Sequence, residues 1–194
     1  ACQREDAGHL FAALWQLWEV TNGRGRYHEA LALARRLLAL AGSHSDDSML
    51  LAAHHSLWTT MVAMGETVAS IPHCERGVAL YDPTRHAPHR LVYGSHDTGV
   101  CGRYHLALAQ WFLGHSDRAS ATIQDALRFA EKLAHAGSLV PTLGIVAFLT
   151  YQAGDHDIAR EKAERMIALA KVHEMTPWID NGLVILAGVE ARRR

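Results

Sequence analysis

Four glycines recur along this sequence in a fixed relation to their neighbours. They are Gly25, Gly65, Gly114 and Gly154, so the intervals between them are 40, 49 and 40 residues. Each is followed five positions later by a small residue, alanine or serine. A period of this length is typical of proteins in which one small structural unit is repeated. The sequence therefore predicts an array of repeats, each contacting mainly its neighbours.

Other positions keep the same register around the four glycines. The residue eight positions before each glycine is aliphatic: Leu17, Leu57, Leu106 and Val146. The residue nine positions after it is small or apolar: Ala34, Cys74, Ile123 and Ala163. We therefore expect one apolar helix before each glycine and a second helix after it. Glycine supplies the turn between two antiparallel helices, and the small residue lets their axes approach closely.

This register predicts an all-α fold, a right-handed superhelix of antiparallel helical hairpins of the tetratricopeptide (TPR) type. We expect about nine helices, no strand and a single array over residues 1–194, with hairpins at 7–41, 46–80, 98–136 and 138–173. A helix at 177–191 would begin a fifth hairpin that is truncated. Because that hairpin is incomplete and the sequence begins without methionine, we expect the chain to be part of a larger protein. Helix starts or caps are expected at Ser45 or Asp46, Asp97, Ser116, Ser138 and Thr176.

The extra residues between the second and third glycines fall in the segment 81–97, which contains two prolines and a glycine. A long connection in a compact array is often functional. Its candidate functional residues are polar or aromatic: His86, His89, Tyr93, His96 and Asp97. The alternative is a spacer that bridges a change in the geometry of the array.

Histidines in and near this loop raise the question of a metal site. His73, Cys74, Cys101 and His105 lie close to it in sequence, but the chain has no HExxH or other ligand signature. With 14 histidines in the chain, some clustering is expected by chance. We therefore expect no metal and no other cofactor.

A search for catalytic motifs also gives a negative expectation. The sequence has no GxSxG motif and no glycine-rich phosphate-binding loop. Ser95, His96 and Asp97 are consecutive, which does not bring a nucleophile, a base and an orienting acid together in space. We expect this chain not to be an enzyme by itself.

In arrays of this type the first helix of each hairpin lines a concave groove. The positions ten, six and three residues before the turns place mainly aromatic and apolar side chains in that groove. The candidate groove residues are Trp15, Glu19, His55, Thr59, Tyr104, Leu108, Trp111, Phe148 and Tyr151. None of them is Lys or Arg, which argues against capture of a peptide carboxylate and favours an apolar partner segment. The alternative is that the aromatic residues are ordinary core between repeats.

Composition narrows the classes of partner. Lys and Arg total 19 against 20 Asp and Glu, so the chain lacks the basic excess that phosphate binding requires. We expect no nucleic acid partner, and no apolar run is long enough to span a membrane. Three cysteines without a CxxC spacing favour a reducing cytoplasm over a disulfide framework or a zinc ribbon.

Two stretches resemble a known family of proteins. They are LWQLWEVTNGRGRYHEALALARRLLALAG at 14–42 and ALYDPTRHAPHRLVYGSHDTGVCGRYHLALAQWFLGHSDRAS at 79–120, of which YDPxxH and YGxHDxGV are the most specific motifs. They resemble the C-terminal TPR-like region of bacterial proteins that join a class III adenylate/guanylate cyclase domain to an ATPase domain. The resemblance implies a parent protein that makes a cyclic nucleotide, with its catalytic residues outside this chain. Related arrays also follow the ATPase modules of bacterial transcription regulators.

Three hypotheses follow for function. The first is a regulatory module that binds a protein partner or another domain of its own chain through the groove. The second is a small-molecule sensor, in which the loop folds towards Tyr104 and Trp111 and a pocket gathers His55, Asp97 and Arg103. The third is a metal-dependent enzyme built on the histidine loop, for which we expect no bound metal.

Overall fold

The computed structural model describes residues 2–44, 46–93 and 96–192. Within these ranges the chain forms ten helices and no strand, which confirms the all-α prediction. The helices are α1 (Cys2–Gly23), α2 (Tyr27–His44), α3 (Asp47–Ala63), α4 (Thr67–Leu80), α5 (His89–Val92), α6 (Thr98–Phe112), α7 (Ser116–Leu133), α8 (Ala136–Gln152), α9 (His156–Val172) and α10 (Thr176–Ala191). The helix beyond the nine expected is α5, a single turn inside the predicted loop. Ser45 and loop positions 94 and 95 lie outside the described residues.

The four repeated glycines all form left-handed turns. Their φ angles are +72°, +77°, +81° and +86° for Gly25, Gly65, Gly114 and Gly154. A residue with a Cβ atom is strained in this region, which explains why glycine recurs there. The small residues five positions later are completely buried: Ala30, Ser70, Ala119 and Ala159. The sequence register of turn and close helix contact is therefore confirmed.

The helices pack as a series of antiparallel pairs. Hairpin 1 is α1 with α2, hairpin 2 is α3 with α4, hairpin 3 is α6 with α7, and hairpin 4 is α8 with α9. Helix α10 packs on both helices of hairpin 4. The first helices α1, α3, α6, α8 and α10 also contact one another in this order. They form a continuous layer, and we call the side of this layer that carries the candidate groove positions the inner face.

The buried apolar side chains form two clusters that meet in hairpin 2. One cluster joins hairpin 1 to α3 and includes Leu57, whereas the other runs from α3 through hairpins 3 and 4 and includes Trp58. Neighbouring residues of α3 thus belong to different clusters. Hairpin 2 is therefore the element that couples the two parts of the array.

Several of the expected helix starts are observed. The carboxylates of Asp46 and Asp97 accept hydrogen bonds from backbone amides in the first turns of α3 and α6. Ser116 and Thr176 are the first residues of α7 and α10. Ser138 lies inside α8, which begins two residues earlier than expected.

Helix α8 is extensively buried, because α6, α7, α9 and α10 all pack against it. Its apolar character is explained by that central position. Among the described helices, none has both the length and the apolar composition needed to cross a membrane.

Candidate functional site

The nine residues predicted to line the groove lie on α1, α3, α6 and α8. Four of them are buried: Trp15, His55, Tyr104 and Leu108. The other five are partly exposed: Glu19, Thr59, Trp111, Phe148 and Tyr151. Binding of a partner at these positions stays a prediction, and the four buried residues contribute little exposed surface to such a groove. They belong to the packing between neighbouring hairpins, which was the alternative interpretation.

The segment between α4 and α6 covers part of the inner face. The ring of Tyr93 packs edge-on against Trp15 of α1, with 5.1 Å between the ring centroids, and lies 6.1 Å from the ring of Phe11. The side-chain amide of Gln16 donates a hydrogen bond of 3.4 Å to the carbonyl oxygen of Val92. The loop thus bridges back to hairpin 1 across hairpin 2.

This path differs from the expected one. In the small-molecule-sensor hypothesis the loop folds towards Tyr104 and Trp111 of α6. Instead, the ring of His96 packs edge-on against the ring of His55 on α3, at 4.9 Å between centroids. The reason is that aromatic surface on α1 and α3 receives the loop side chains.

Two of the candidate loop histidines are structural. His86 and His89 are both buried, and their rings lie 4.8 Å apart. The Nδ1 atom of His86 accepts a hydrogen bond of 2.9 Å from the backbone amide of Asp82. Burial lowers the pKa of both histidines, to about 4 for His89. The two rings are therefore neutral at neutral pH and act as packing groups.

Asp97 anchors the end of the loop. Its carboxylate accepts hydrogen bonds from the backbone amide of Val100, at 3.0 Å, and from the hydroxyl of Tyr81, at 2.6 Å. Its backbone amide donates to the hydroxyl oxygen of Ser138 on α8, at 2.8 Å. Burial and the bond to this carboxylate raise the pKa of Tyr81. These contacts tie α4, α6 and α8 together, so Asp97 has a structural role.

The small-molecule hypothesis required one pocket that gathers His55, Asp97 and Arg103. These three side chains do not converge. The guanidinium of Arg103 donates to the backbone carbonyl of Gly99 at 2.8 Å and to the carboxylate of Asp125 at 3.1 Å. These contacts hold it between α6 and α7. The polar groups that do approach His55 come from other positions.

A cavity of about 220 Å³ opens on the inner face where hairpins 1 and 2 meet. It is lined by Trp15, Trp18, Glu19, Asn22, Gly23, His55, Thr59 and His96. Four of the predicted groove residues and one loop residue therefore share this cavity. The indole N–H of Trp18 donates to the hydroxyl of Thr60 at 2.9 Å, which fixes one aromatic wall.

At one side of the cavity, three potential metal ligands come together. The Nε2 atom of His55 lies 3.1 Å from Nε2 of His96 and 3.4 Å from Sγ of Cys101. All three ligand atoms lie within 4.8 Å of one another. They come from α3, the loop and α6. Among the described residues, this is the group of His, Cys and acidic side chains whose geometry could hold a metal ion.

A fourth polar side chain supports the cysteine. The Nδ1 atom of His105 lies 3.0 Å from the carbonyl oxygen of Cys101 and 3.3 Å from its Sγ atom. Because a carbonyl oxygen only accepts hydrogen bonds, this nitrogen carries the hydrogen. Burial lowers the pKa of His55 and His105, the latter to about 4, and raises the pKa of the Cys101 thiol to about 12.

A second pair of histidines joins the two helices of hairpin 2. The Nδ1 atoms of His54 and His73 are 2.9 Å apart, which links α3 to α4. Burial lowers the pKa of both, to about 4 for His54. Cys74, the next residue, is a buried free thiol.

The first helices of hairpins 3 and 4 carry four aromatic residues towards their C-terminal ends, three at groove positions and Phe112 next to one of them. We call Trp111, Phe112, Phe148 and Tyr151 the aromatic patch. Phe112 is 56% exposed, and its ring centroid lies 6.4 Å from that of Phe148 on the next hairpin. At one edge the guanidinium of Arg192 lies over the ring of Tyr151, at 5.5 Å.

Comparison with known proteins gives one relative by sequence. The uncharacterized protein R02095 of Rhizobium meliloti is 27% identical over 183 residues, which is 94% of this chain and 18% of that protein. The chain thus spans about a fifth of the length of this relative. No protein-family model matches the chain.

Solved structures are similar in fold. A protein described as a kinesin light chain of nearly identical TPR-like repeats, from Podosopora anserina, has a TM-score of 0.59 and 17% identity, over 92% of each chain. BtubC (BKLC) from P. vanneervenii has a TM-score of 0.65 and 17% identity, over 96% of this chain and 82% of that one. The chain therefore has a TPR-like helical repeat fold.

Proposed function

We propose that this chain is a non-catalytic protein-interaction and regulatory module of a longer protein, and that it binds its partner through the aromatic patch. The observation that carries this proposal is the exposed ring of Phe112, which lies beside the partly exposed rings of Trp111, Phe148 and Tyr151. Buried aromatic residues supply much of the binding energy of protein interfaces. An exposed aromatic ring with three partly exposed rings around it is explained if this surface is covered in the assembled protein.

The chemistry of the patch indicates what it binds. Its four members are aromatic, and the guanidinium of Arg192 at the edge is already in contact with Tyr151. An apolar segment can cover the rings of Phe112 and Phe148, and aromatic side chains are the favoured anchors of such contacts. The patch thus suits an apolar surface or helix better than a charged peptide terminus.

The occupant we propose is another domain of the same polypeptide. The support is the relative in Rhizobium meliloti, in which the matching region is about a fifth of a much longer protein. A domain that is covalently linked to the array has a high effective concentration near the patch. Even a modest contact area would then be occupied most of the time.

Photo-cross-linking in cells that express the full-length gene tests this proposal. A photoreactive phenylalanine analogue placed at Phe112 should cross-link to a peptide from another domain of the same polypeptide. The matched control is the same analogue at Val68, which is 70% exposed but lies on α4, a second helix. Equal cross-linking from both positions would contradict the proposal, and cross-links only to a separate protein would replace the proposed occupant.

The identity of the parent is the finer part of the proposal. The resemblance at 14–42 and 79–120 supports a parent that joins a nucleotide cyclase to an ATPase, with this array as its regulatory end. The full-length protein is then expected to form a cyclic nucleotide, whereas the isolated chain forms none and hydrolyses no nucleotide. A DNA-binding domain in place of the cyclase would indicate a transcription regulator, and turnover by the isolated chain would contradict its non-catalytic role. We also propose a cytoplasmic location, where Cys74 and Cys101 stay reduced.

A small-molecule sensor is the second candidate function, and the cavity on hairpins 1 and 2 favours it. Indole walls from Trp15 and Trp18 and the carboxylate of Glu19 surround a volume that fits a small organic molecule. A thermal-shift screen of metabolites with the wild-type chain and a Glu19→Gln variant tests this candidate. A ligand whose effect is weakened by the substitution supports it, and a screen without any stabilising compound counts against it.

A further inference from the structure

We propose that His55, His96 and Cys101 bind a transition-metal ion, Zn²⁺ in the first place, with an open coordination position towards the cavity. The inference goes beyond the proposed interaction function, because the site lies on hairpins 1 and 2 and the loop, away from the aromatic patch. It also departs from the sequence expectation of no metal. Geometry, ligand chemistry and surroundings each support it.

The distances between the ligand atoms are close to those around a tetrahedral ion. With metal–nitrogen bonds of about 2.0–2.1 Å and a metal–sulfur bond of about 2.3 Å, two nitrogens are about 3.3 Å apart and a nitrogen and a sulfur about 3.6 Å. The observed distances from Nε2 of His55 are 3.1 Å to His96 and 3.4 Å to Cys101. The remaining distance, between the ligand atoms of His96 and Cys101, is at most 4.8 Å. A shift of roughly 1 Å in His96, which is on the loop, would bring this distance to the tetrahedral value.

The donor set indicates the class of metal. Two imidazole nitrogens and one thiolate are ligands of borderline to soft character, which suit Zn²⁺ and exclude Mg²⁺ or Ca²⁺ as the preferred ion. Three protein ligands leave the fourth position of a tetrahedral ion open. Because His55 and His96 both line the cavity, that position faces a space in which a water molecule or a donor atom of a ligand could bind.

The surroundings support two of the three ligands, Cys101 and His55. The Nδ1–H group of His105 lies 3.0 Å from the carbonyl oxygen of Cys101 and 3.3 Å from its Sγ atom, so a thiolate would share this hydrogen with the carbonyl. The ring of His55 is held among Trp15 and Trp58, with centroid distances of 5.1 and 5.2 Å. Such packing fixes the orientation of a ligand and excludes bulk water.

Metal binding would connect three segments that are distant in sequence. His55 belongs to α3, Cys101 to α6, and His96 to the loop that covers α1. An ion on these three side chains would hold the loop on the inner face and leave less freedom for it to open. The loop would therefore cover the inner face more firmly when the metal is bound than when it is absent.

The experiment is metal binding by the purified chain after treatment with a chelator. We expect one equivalent of Zn²⁺ to bind, and Co²⁺ in its place to give a sulfur-to-cobalt charge-transfer band in the near ultraviolet. His96→Asn should weaken Zn²⁺ binding more than about 100-fold, because loss of even a supporting partner costs about 10-fold to 100-fold. Cys101→Ser should abolish the charge-transfer band.

The matched control is His73→Asn, which removes one member of the other histidine pair and leaves all three proposed ligands. It should keep the wild-type affinity and the band. If Cys101→Ser does not fold, His96→Asn decides the question, since His96 is partly exposed on the loop. Absence of stoichiometric binding, or binding that His73→Asn removes and His96→Asn does not, would overturn the proposal. None of these results depends on the partner of the aromatic patch.

Discussion

The ring of Tyr93 stands edge-on against the indole of Trp15, with 5.1 Å between the centroids and 78 positions between them in the chain. This contact fastens the loop to hairpin 1 and closes one part of the inner face. It follows that the loop should open when the contact is removed.

Tyr93→Ala is expected to speed tryptic cleavage after Arg90, because the anchored loop must leave α1 before a protease can bind it. The loss of the ring contacts to Trp15, Phe11 and His89, with their buried area, should also lower the free energy of unfolding by about 1–2 kcal/mol. Limited proteolysis and urea unfolding measure the two effects. Tyr151→Ala, a half-buried tyrosine on hairpin 4, serves as the control and should leave cleavage after Arg90 unchanged. Equal cleavage of Tyr93→Ala and the wild type would show that the contact does not hold the loop.

The hairpins could be predicted from the sequence because their signals are local. A glycine with positive φ and a small residue five positions later are close together in the chain, and each repeat has both. The start of α6 was also predictable, since Asp97 and the amide of Val100 are three residues apart. The single turn α5 is only four residues long and has no repeated pattern, so the sequence does not predict it.

The candidate site was less predictable because it depends on contacts between distant residues. His96 is separated from His55 by 41 positions, and Cys101 from His55 by 46. The register predicts part of the site. His55 stands ten residues before its glycine and Cys101 thirteen before the next, so the two residues lie on neighbouring first helices. The position of His96 depends on how the loop packs, for which the sequence has no comparable signal.

Asp97 was a candidate functional residue, and its contacts predict a stability effect. Asp97→Ala removes a helix cap and leaves the hydroxyl of Tyr81 without its acceptor, so we expect a loss of about 2–4 kcal/mol. Asp97→Asn retains an oxygen that can cap α6 and should cost less. The exposed cap Asp46 is the control, and Asp46→Ala should cost about 0.5–1 kcal/mol. Chemical denaturation measures all three, and similar losses for both alanine variants would argue against the tie through Tyr81.

At Gly77 a large side chain from another helix leaves no room for a Cβ atom. A Cβ atom at Gly77 would lie 2.2 Å from the indole of Trp58, whereas one at Gly42 on α2 would meet nothing within 4 Å. Gly77→Ala should therefore lower the free energy of unfolding by about 1–3 kcal/mol through overpacking. Gly42→Ala should raise it by up to about 1 kcal/mol, because alanine favours the helix. Thermal or urea unfolding tests the opposite signs, and a stabilised Gly77→Ala variant would mean that Trp58 moves aside freely.

We expect acid to lower the free energy of unfolding because His89, on the loop, is buried in its neutral form. Its pKa falls to about 4 in the folded chain, chiefly because of burial and then because of neighbouring His86, while Asp46 and Asp97 act in the opposite direction. The unfolded chain takes up a proton near pH 6.5 and the folded chain only near pH 4, so this histidine lowers the free energy of unfolding as the pH falls between these values. Above pH 6.5 it has no such effect.

The difference in unfolding free energy between the wild type and His89→Asn should therefore shrink from pH 7 to pH 4.5. Its slope cannot exceed about 1.4 kcal/mol per pH unit for a single proton. Urea unfolding across this range measures it. Leu91→Ala, on the same short helix and 85% exposed, retains His89 and should give a profile parallel to that of the wild type. A His89→Asn profile that is also parallel would show that another group carries the acid sensitivity.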